Sequence, residues 1–232
     1  MLNRTRPTYD VRVAAVTPLT SALTRITFTG PTLSDLPIEH PTQWVKLAIP
    51  EGHSRAYTIR HHRPADREVD IDLVLHDNGP LARWAAVARP GDRAQLAGPR
   101  GRRPSFEGAE HVLLAADESA LPAALTIVED LPPGIPVSLF VEIGGPGNDL
   151  PLPARPGLTG HWLVRRPEQT KGSLLADTLL ATDIPAGTAA WLAGEAHAVA
   201  VVRRHLLTDW SLPRERVHSK GYWKHGESDH KG

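Results

Sequence analysis

Four groups of residues in this chain have types and spacings suited to chemistry on a bound cofactor. The first is Arg55-Ala56-Tyr57-Thr58. In a strand, residues two apart share a face, so Arg55 and Tyr57 can act together. An arginine presents a planar fork of donors to a phosphate, and a tyrosine ring can lie against a flat heterocycle. Thr58 adds a hydroxyl beside them. The second group is His76 with Gly79-Pro80-Leu81-Ala82-Arg83-Trp84, where Gly79-Pro80 opens a helical stretch. A helix start offers N–H groups and partial positive charge, which favour a phosphate or diphosphate. The third is the acidic run Asp117-Glu118-Ser119-Ala120 ahead of Pro122, with Glu142 further along. Asp117 or Ser119 can cap the helix that follows. The fourth is Gly194-Glu195, where glycine permits close approach and Glu195 is either a helix-start acid or a catalytic group.

Composition decides what kind of chemistry these residues can serve. The 232 residues include no cysteine, which excludes disulfides, thiolate catalysis, iron–sulfur clusters and cysteine zinc sites. Redox chemistry must therefore rest on a bound cofactor, because the side chains present cannot carry electrons. The twelve histidines are scattered and suggest no protein-built metal site. Lys+Arg and Asp+Glu balance at 26 each, which argues against a nucleic-acid partner. No run approaches the roughly 18 apolar residues of a membrane span, and no secretory leader is evident. A cytoplasmic, monomeric protein without stable membrane insertion is expected.

These groups need elements to position them. Candidate strands Tyr9–Val16, Ala22–Thr29, Gln43–Ile49, Arg55–Arg60, Glu68–Leu75 and Arg93–Ala97 are short, alternating and bounded by turns. Six such strands predict an antiparallel Greek-key barrel, with one helix near Leu81–Ala88. After residue 104 the rhythm changes. Strands at His111–Ala116, Val137–Ile143, His161–Val164, Ala189–Ala193 and Arg216–Gly221 alternate with helices ending near Glu129 and spanning Ser173–Leu180 and Ala196–Thr208. That alternation predicts a small parallel α/β sheet, whose ligands sit beyond the carboxyl ends of its strands. The expected domains are 1–104, an antiparallel barrel, and 105–232, an α/β unit.

Arg55-Ala56-Tyr57-Thr58-Ile59-Arg60 resembles the Arg-x-Tyr-Ser/Thr flavin motif of ferredoxin-reductase-like enzymes, which place a barrel before a parallel nucleotide domain. Leu75-His76-Asp77-Asn78-Gly79-Pro80-Leu81-Ala82-Arg83-Trp84-Ala85, Pro90-Gly91-Asp92 and Ala97-Gly98-Pro99-Arg100-Gly101 follow. Ala116-Asp117-Glu118-Ser119-Ala120-Leu121-Pro122-Ala123, Ala193-Gly194-Glu195-Ala196 and Gly221-Tyr222-Trp223 come later. In this order and spacing, from about Val11 to Gly226, the chain resembles the siderophore-interacting protein family of ferric-siderophore reductases.

The resemblance implies roles for these residues. Arg55 would bind a cofactor phosphate, and Tyr57 and Thr58 would contact an isoalloxazine. The stretch Gly79 to Trp84, with His76 pointing into the region, would supply a second phosphate contact, and two such contacts favour FAD over FMN. Family members usually carry Ser or Thr where this chain has Ala82, leaving backbone N–H groups and Arg83; Trp84 would pack the helix on the barrel. Asp117, Glu118, Ser119 and Ala120 stand where the superfamily has Gly-x-Gly-x-x-Pro, and would bind NADH or NADPH weakly. Glu142 would meet ribose hydroxyls and repel the extra phosphate of NADPH, which Arg165 and Arg166 could offset. Gly194 and Glu195 would line the place where nicotinamide meets flavin, and Tyr222 or Trp223 would cover the flavin or dock the tail. Lys46, Arg103 and Lys224 would attract a negatively charged ferric siderophore, with Arg100, Arg102 and Lys220 nearby in sequence. Two other readings stay open: a flavin reductase serving a protein acceptor such as ferredoxin, and a flavin- or chelate-binding protein without turnover.

Overall fold

The computed structural model describes residues 7–76 and 79–227, so Asp77 and Asn78 lie outside it. The chain divides between Arg103 and Pro104 into two compact units. The first is an antiparallel sheet of β1 (Thr8–Pro18), β2 (Leu23–Thr29), β3 (Trp44–Ala48), β4 (Ser54–Thr58), β5 (His61–Arg63), β6 (Glu68–Val74) and β7 (Arg93–Arg100). Their order is β4-β3-β7-β1-β2-β6-β5. The first and last strands of that order, β4 and β5, are joined by Ile59 and Arg60 alone, so the sheet must curl until its ends meet. The Arg60 N–H bonds to the Asp70 carbonyl at 2.9 Å across that closure. The links β2 to β3 and β6 to β7 cross over neighbouring strands, as a Greek-key barrel requires.

The barrel has seven strands rather than the six expected. The missed strand, β5, is only three residues long, too short for any period to register, and follows β4 without a turn signal. Period-two burial fills the interior. Tyr9, Val11 and Val13 of β1, Ile26 and Phe28 of β2, and Val69, Ile71 and Leu73 of β6 point inward. The opposite face of β6 carries three carboxylates, Glu68, Asp70 and Asp72, and the structure matches each with arginine. Asp72 receives Arg25 through two bonds at 2.7 and 2.9 Å, and Asp70 receives Arg63 at 2.7 and 2.8 Å. Asp70 also accepts from Thr27 and contacts the His61 ring. Helix α1 (Pro80–Val87) starts with proline at its first position, and Trp84 stacks on Phe28 with centroids 6.4 Å apart. That contact packs the helix on the barrel, as expected of Trp84.

The second unit is a five-stranded sheet of β8 (His111–Asp117), β9 (Val137–Ile143), β10 (Leu158–Val164), β11 (Thr188–Glu195) and β12 (Val217–Trp223), all parallel and ordered β10-β9-β8-β11-β12. Helix α2 (Leu121–Asp130) covers one face; α3 (Ser173–Leu180) and α4 (Ala196–Thr208) cover the other. Alternate residues of β8 serve the two faces: Val112, Leu114 and Ala116 pack with α2, and Leu113 and Ala115 with α3 and α4. Cover on both faces explains why β8 and β11 read as unbroken apolar runs. β10 starts three residues earlier than expected, because Leu158, Thr159 and Gly160 continue the ladder with Val137, Ser138 and Leu139. Among the described residues no helix is long and apolar enough to cross a membrane.

Candidate functional site

In the barrel, register decides what β4 presents. Tyr57 stands opposite Val45 and Arg55 opposite Leu47, so these two share one face of the strand. Thr58 and Ala56 stand opposite Trp44 and Lys46 and share the other. Tyr57 packs partly buried against the barrel core. Burial pushes its hydroxyl up from 10.0 to about 12, against the opposing effect of the neighbouring Arg55 charge. The ring is therefore neutral at any physiological pH. Thr58 is buried, and the Arg55 guanidinium turns back to the Ser54 carbonyl at 2.9 Å.

The start of α1 carries the partial positive charge of a helix N-terminus. Gly79 is its N-cap, and among the described residues no side chain caps it and no acid lies in its first turn. The His76 ring sits where a side chain on Gly79 would begin, 2.9 Å from the Cβ position, so glycine is what lets that imidazole reach the helix start. Leu81 and Ala82 bury their side chains, leaving only their backbone to face a ligand, while Arg83 is exposed.

In the parallel unit the strand order reverses between β8 and β11, which makes their carboxyl ends the switch point where open α/β sheets bind ligands. Asp117 ends β8 and is buried there. Its Oδ1 accepts from the Ser119 N–H at 2.9 Å, the Ser119 hydroxyl at 2.6 Å and the Ala120 N–H at 3.2 Å. Its Oδ2 accepts from the Trp223 indole N–H at 2.7 Å. Burial pushes the carboxyl up, against the hydrogen bonds from Ser119, Trp223 and Ala120 that hold it down. Gly194, at φ +143°, ends β11 beside it; a Cβ there would lie 2.6 Å from Asp117 Oδ2. Glu118 turns away to accept the Gly144 N–H at 2.6 Å, and burial raises its carboxyl as well.

Two acids take structural posts. Glu195 caps α4 by accepting the Ala198 N–H at 2.8 Å, the helix-start role, one of its two readings. Glu142 is wholly buried, and it receives Arg165 at 2.7 Å, the Gly172 N–H at 2.7 Å and the Leu175 N–H at 3.0 Å. It anchors the start of α3 and has no surface to offer a ribose, which corrects the expectation drawn from its spacing. Arg165, expected to offset the repulsion from Glu142, is the ion-pair partner of Glu142 itself. Position in sequence alone could not reveal this, because Gly172 and Leu175 reach Glu142 only through the packing of α3. Lys171, not singled out from sequence, lies over the Trp223 ring at 5.8 Å.

The three cations expected at the substrate are all exposed. Lys46 projects from the same face of β3 as Trp44, whose ring carries Arg100 at 5.1 Å. Arg103 ends the first unit. Lys224, in the second, pairs with Glu227. Lys220 lies over Tyr222 at 5.8 Å.

Residues 109–226 match the siderophore-interacting protein family, and residues 12–55 and 51–103 match the siderophore-interacting FAD-binding domain. The chain belongs to the siderophore-interacting protein family. Its relatives include the ferric vibriobactin reductase ViuB of Vibrio cholerae serotype O1, 29% identical over 233 residues that span 89% of this chain and 86% of that protein. The ferric acinetobactin reductase of Acinetobacter baumannii is 29% identical over 195 residues, spanning 81% of this chain and 68% of the other. A siderophore utilization protein from T. fusca superposes with a TM-score of 0.89 at 32% identity, covering 98% of this chain and 96% of that one.

The barrel of this siderophore-interacting protein has a donor set that fits FAD. A guanidinium and a neutral, half-buried phenol share one strand face, and a separate helix start has no acid in its first turn, Pro80 to Arg83. A dinucleotide asks for both: a flat ring system to cover, and a diphosphate to hold.

Proposed function

We propose that this chain is an FAD-dependent ferric-siderophore reductase that takes its electrons from NADH or NADPH. The observation that carries the reading is the pairing of Arg55 and Tyr57 on one strand face with the Gly79-Pro80 start of α1, in a chain matched along both units to the siderophore-interacting family. Residues 1–104 would serve as the FAD-binding domain and 105–232 as the NAD(P)H-binding domain.

Arg55 and the N–H groups at the start of α1 hold phosphate. Tyr57 gives the ring system an apolar wall that stays uncharged, and Thr58 offers a hydroxyl and a backbone N–H. When bound, FAD supplies the conversion of a two-electron hydride into the single electrons that ferric iron accepts. The chain's part at the substrate is electrostatic. Lys46 and Arg103, exposed on the first unit, attract and orient a negatively charged ferric chelate. No general acid or base is required, because ferrous iron leaves hard oxygen ligands once reduced.

The test is anaerobic. FAD-loaded protein is mixed with NADH or NADPH and then with a ferric tris-catecholate, and the flavin absorbance is followed. Bleaching by a nucleotide and recovery on adding the chelate are expected. Bleaching without recovery would transfer the reading to a protein acceptor, and no bleaching by either nucleotide would remove NAD(P)H as the donor.

A further inference from the structure

We propose that Asp117 is a built-in anion that plugs the switch point of the parallel sheet and sets how tightly a dinucleotide's diphosphate can bind there. In open α/β sheets that diphosphate takes the N–H groups at the start of the helix after the first strand, on a loop whose glycines let it come close. Here the first strand is β8 and the helix is α2, and two N–H groups on the turn that leads into it are already spent. Asp117 Oδ1 takes the Ser119 N–H, the Ser119 hydroxyl and the Ala120 N–H.

The plug also stands on contacts from outside that loop. The Trp223 indole, 106 residues further along on β12, gives its N–H to Oδ2 at 2.7 Å. The backbone of β11 gives way to the same oxygen: at Gly194 even a methyl group would stand 2.6 Å from it. Three strand ends, those of β8, β11 and β12, thus close around one carboxylate at the point where the strand order reverses. An incoming diphosphate meets donors already taken and space already filled, so it binds outside the usual place and weakly. Removing the carboxylate while keeping its donors leaves a vacant anion site of the ordinary dinucleotide kind. The last step, from anion to nucleotide, rests on reading this unit as the NAD(P)H-binding one; the plug itself does not.

The experiment compares FAD-loaded wild type, Asp117→Gly and Asp117→Asn, with inorganic pyrophosphate as the probe at constant ionic strength. The readout is the thermal unfolding midpoint. Asp117→Gly is expected to gain a saturable rise of about 5–10 °C at a hundredfold excess over its Kd. Wild type and Asp117→Asn, in which the space stays filled, are expected to stay flat. If Asp117→Gly folds poorly alone, its refolding yield with and without pyrophosphate is the same readout, and rescue is the expected result. A glycine variant that responds no more than wild type, or an asparagine variant that responds as strongly, overturns the plug. NADH and NADPH dissociation constants are then measured by equilibrium titration, with at least tenfold tightening expected for Asp117→Gly. Pyrophosphate rescue without that tightening leaves the plug standing and removes the nucleotide reading of this unit.

Discussion

Arg165 Nη1 lies 2.7 Å from Glu142 Oε1, and the carboxylate it meets has no exposed surface. The pair joins the end of β9 to the segment after β10, and Glu142 passes the connection on to α3 through the Gly172 and Leu175 N–H groups. Taking away one partner of such a pair leaves a charge buried without compensation. Arg165→Ala is expected to cost ~3–5 kcal/mol in chemical denaturation. Glu142→Gln should cost less, since an amide oxygen still accepts from α3. If Arg165→Ala left stability intact but weakened NADPH, the arginine would be serving a ligand instead.

The flavin site makes its own demand on Arg55. Loss of a charge-assisted bond to phosphate is expected to weaken FAD ~10–100-fold in Arg55→Ala, measured by titration of flavin fluorescence. Arg55→Lys should recover only part of this, because an ammonium is a point charge and not a planar fork. Unchanged affinity in both variants would move the phosphate contact away from β4.

Tyr57 gives a prediction in alkali. Its folded pKa of about 12 lies above the ordinary 10.0, so between these values the unfolded chain loses the proton while the folded chain keeps it. The unfolded state then binds fewer protons, and stability falls as pH rises through that window. Denaturation midpoints measured from pH 9 to 11.5 should decline, and Tyr57→Phe should remove part of the decline. The phenolate absorbance of one tyrosine should appear only late in the titration of the native protein.

Asp70 gives the matching prediction in acid. Burial alone would raise its carboxyl, but hydrogen bonds from Arg63, His61 and Thr27 outweigh burial and hold it well below the usual carboxylate range. A depressed folded pKa adds stability above the unfolded value, which is lost as pH falls below about 4. Asp70→Asn is expected to cost ~2 kcal/mol at neutral pH and to flatten the acid side of the stability curve. An acid limb as steep as wild type would show that other carboxylates dominate.

How much of this could be read from the chain depended on how local the cause was. Alternation of apolar residues located β1, β2 and β6, and the Gly79-Pro80 start and Trp84 located α1, because burial on one face leaves its period in the sequence. The bounds of β9, α3 and α4 came out residue for residue. β5 did not, since three residues carry no period and its place is set by pairing with β6.

By itself the sequence determined the order of the two folds, the absence of thiol chemistry, the dependence of any redox chemistry on a bound cofactor and the strand that carries Arg55 and Tyr57. These follow from composition and from spacing within single elements. Only the tertiary structure decided what the acids do. Glu142 became the anchor of α3, Glu195 the cap of α4, and Asp117 the carboxylate shared by β8, β11 and β12. A buried carboxylate settles on whichever donors the packing brings to it. Apart from the Ala198 N–H, three residues from Glu195, those donors come from 30, 33 and 106 residues away, distances that no local pattern records.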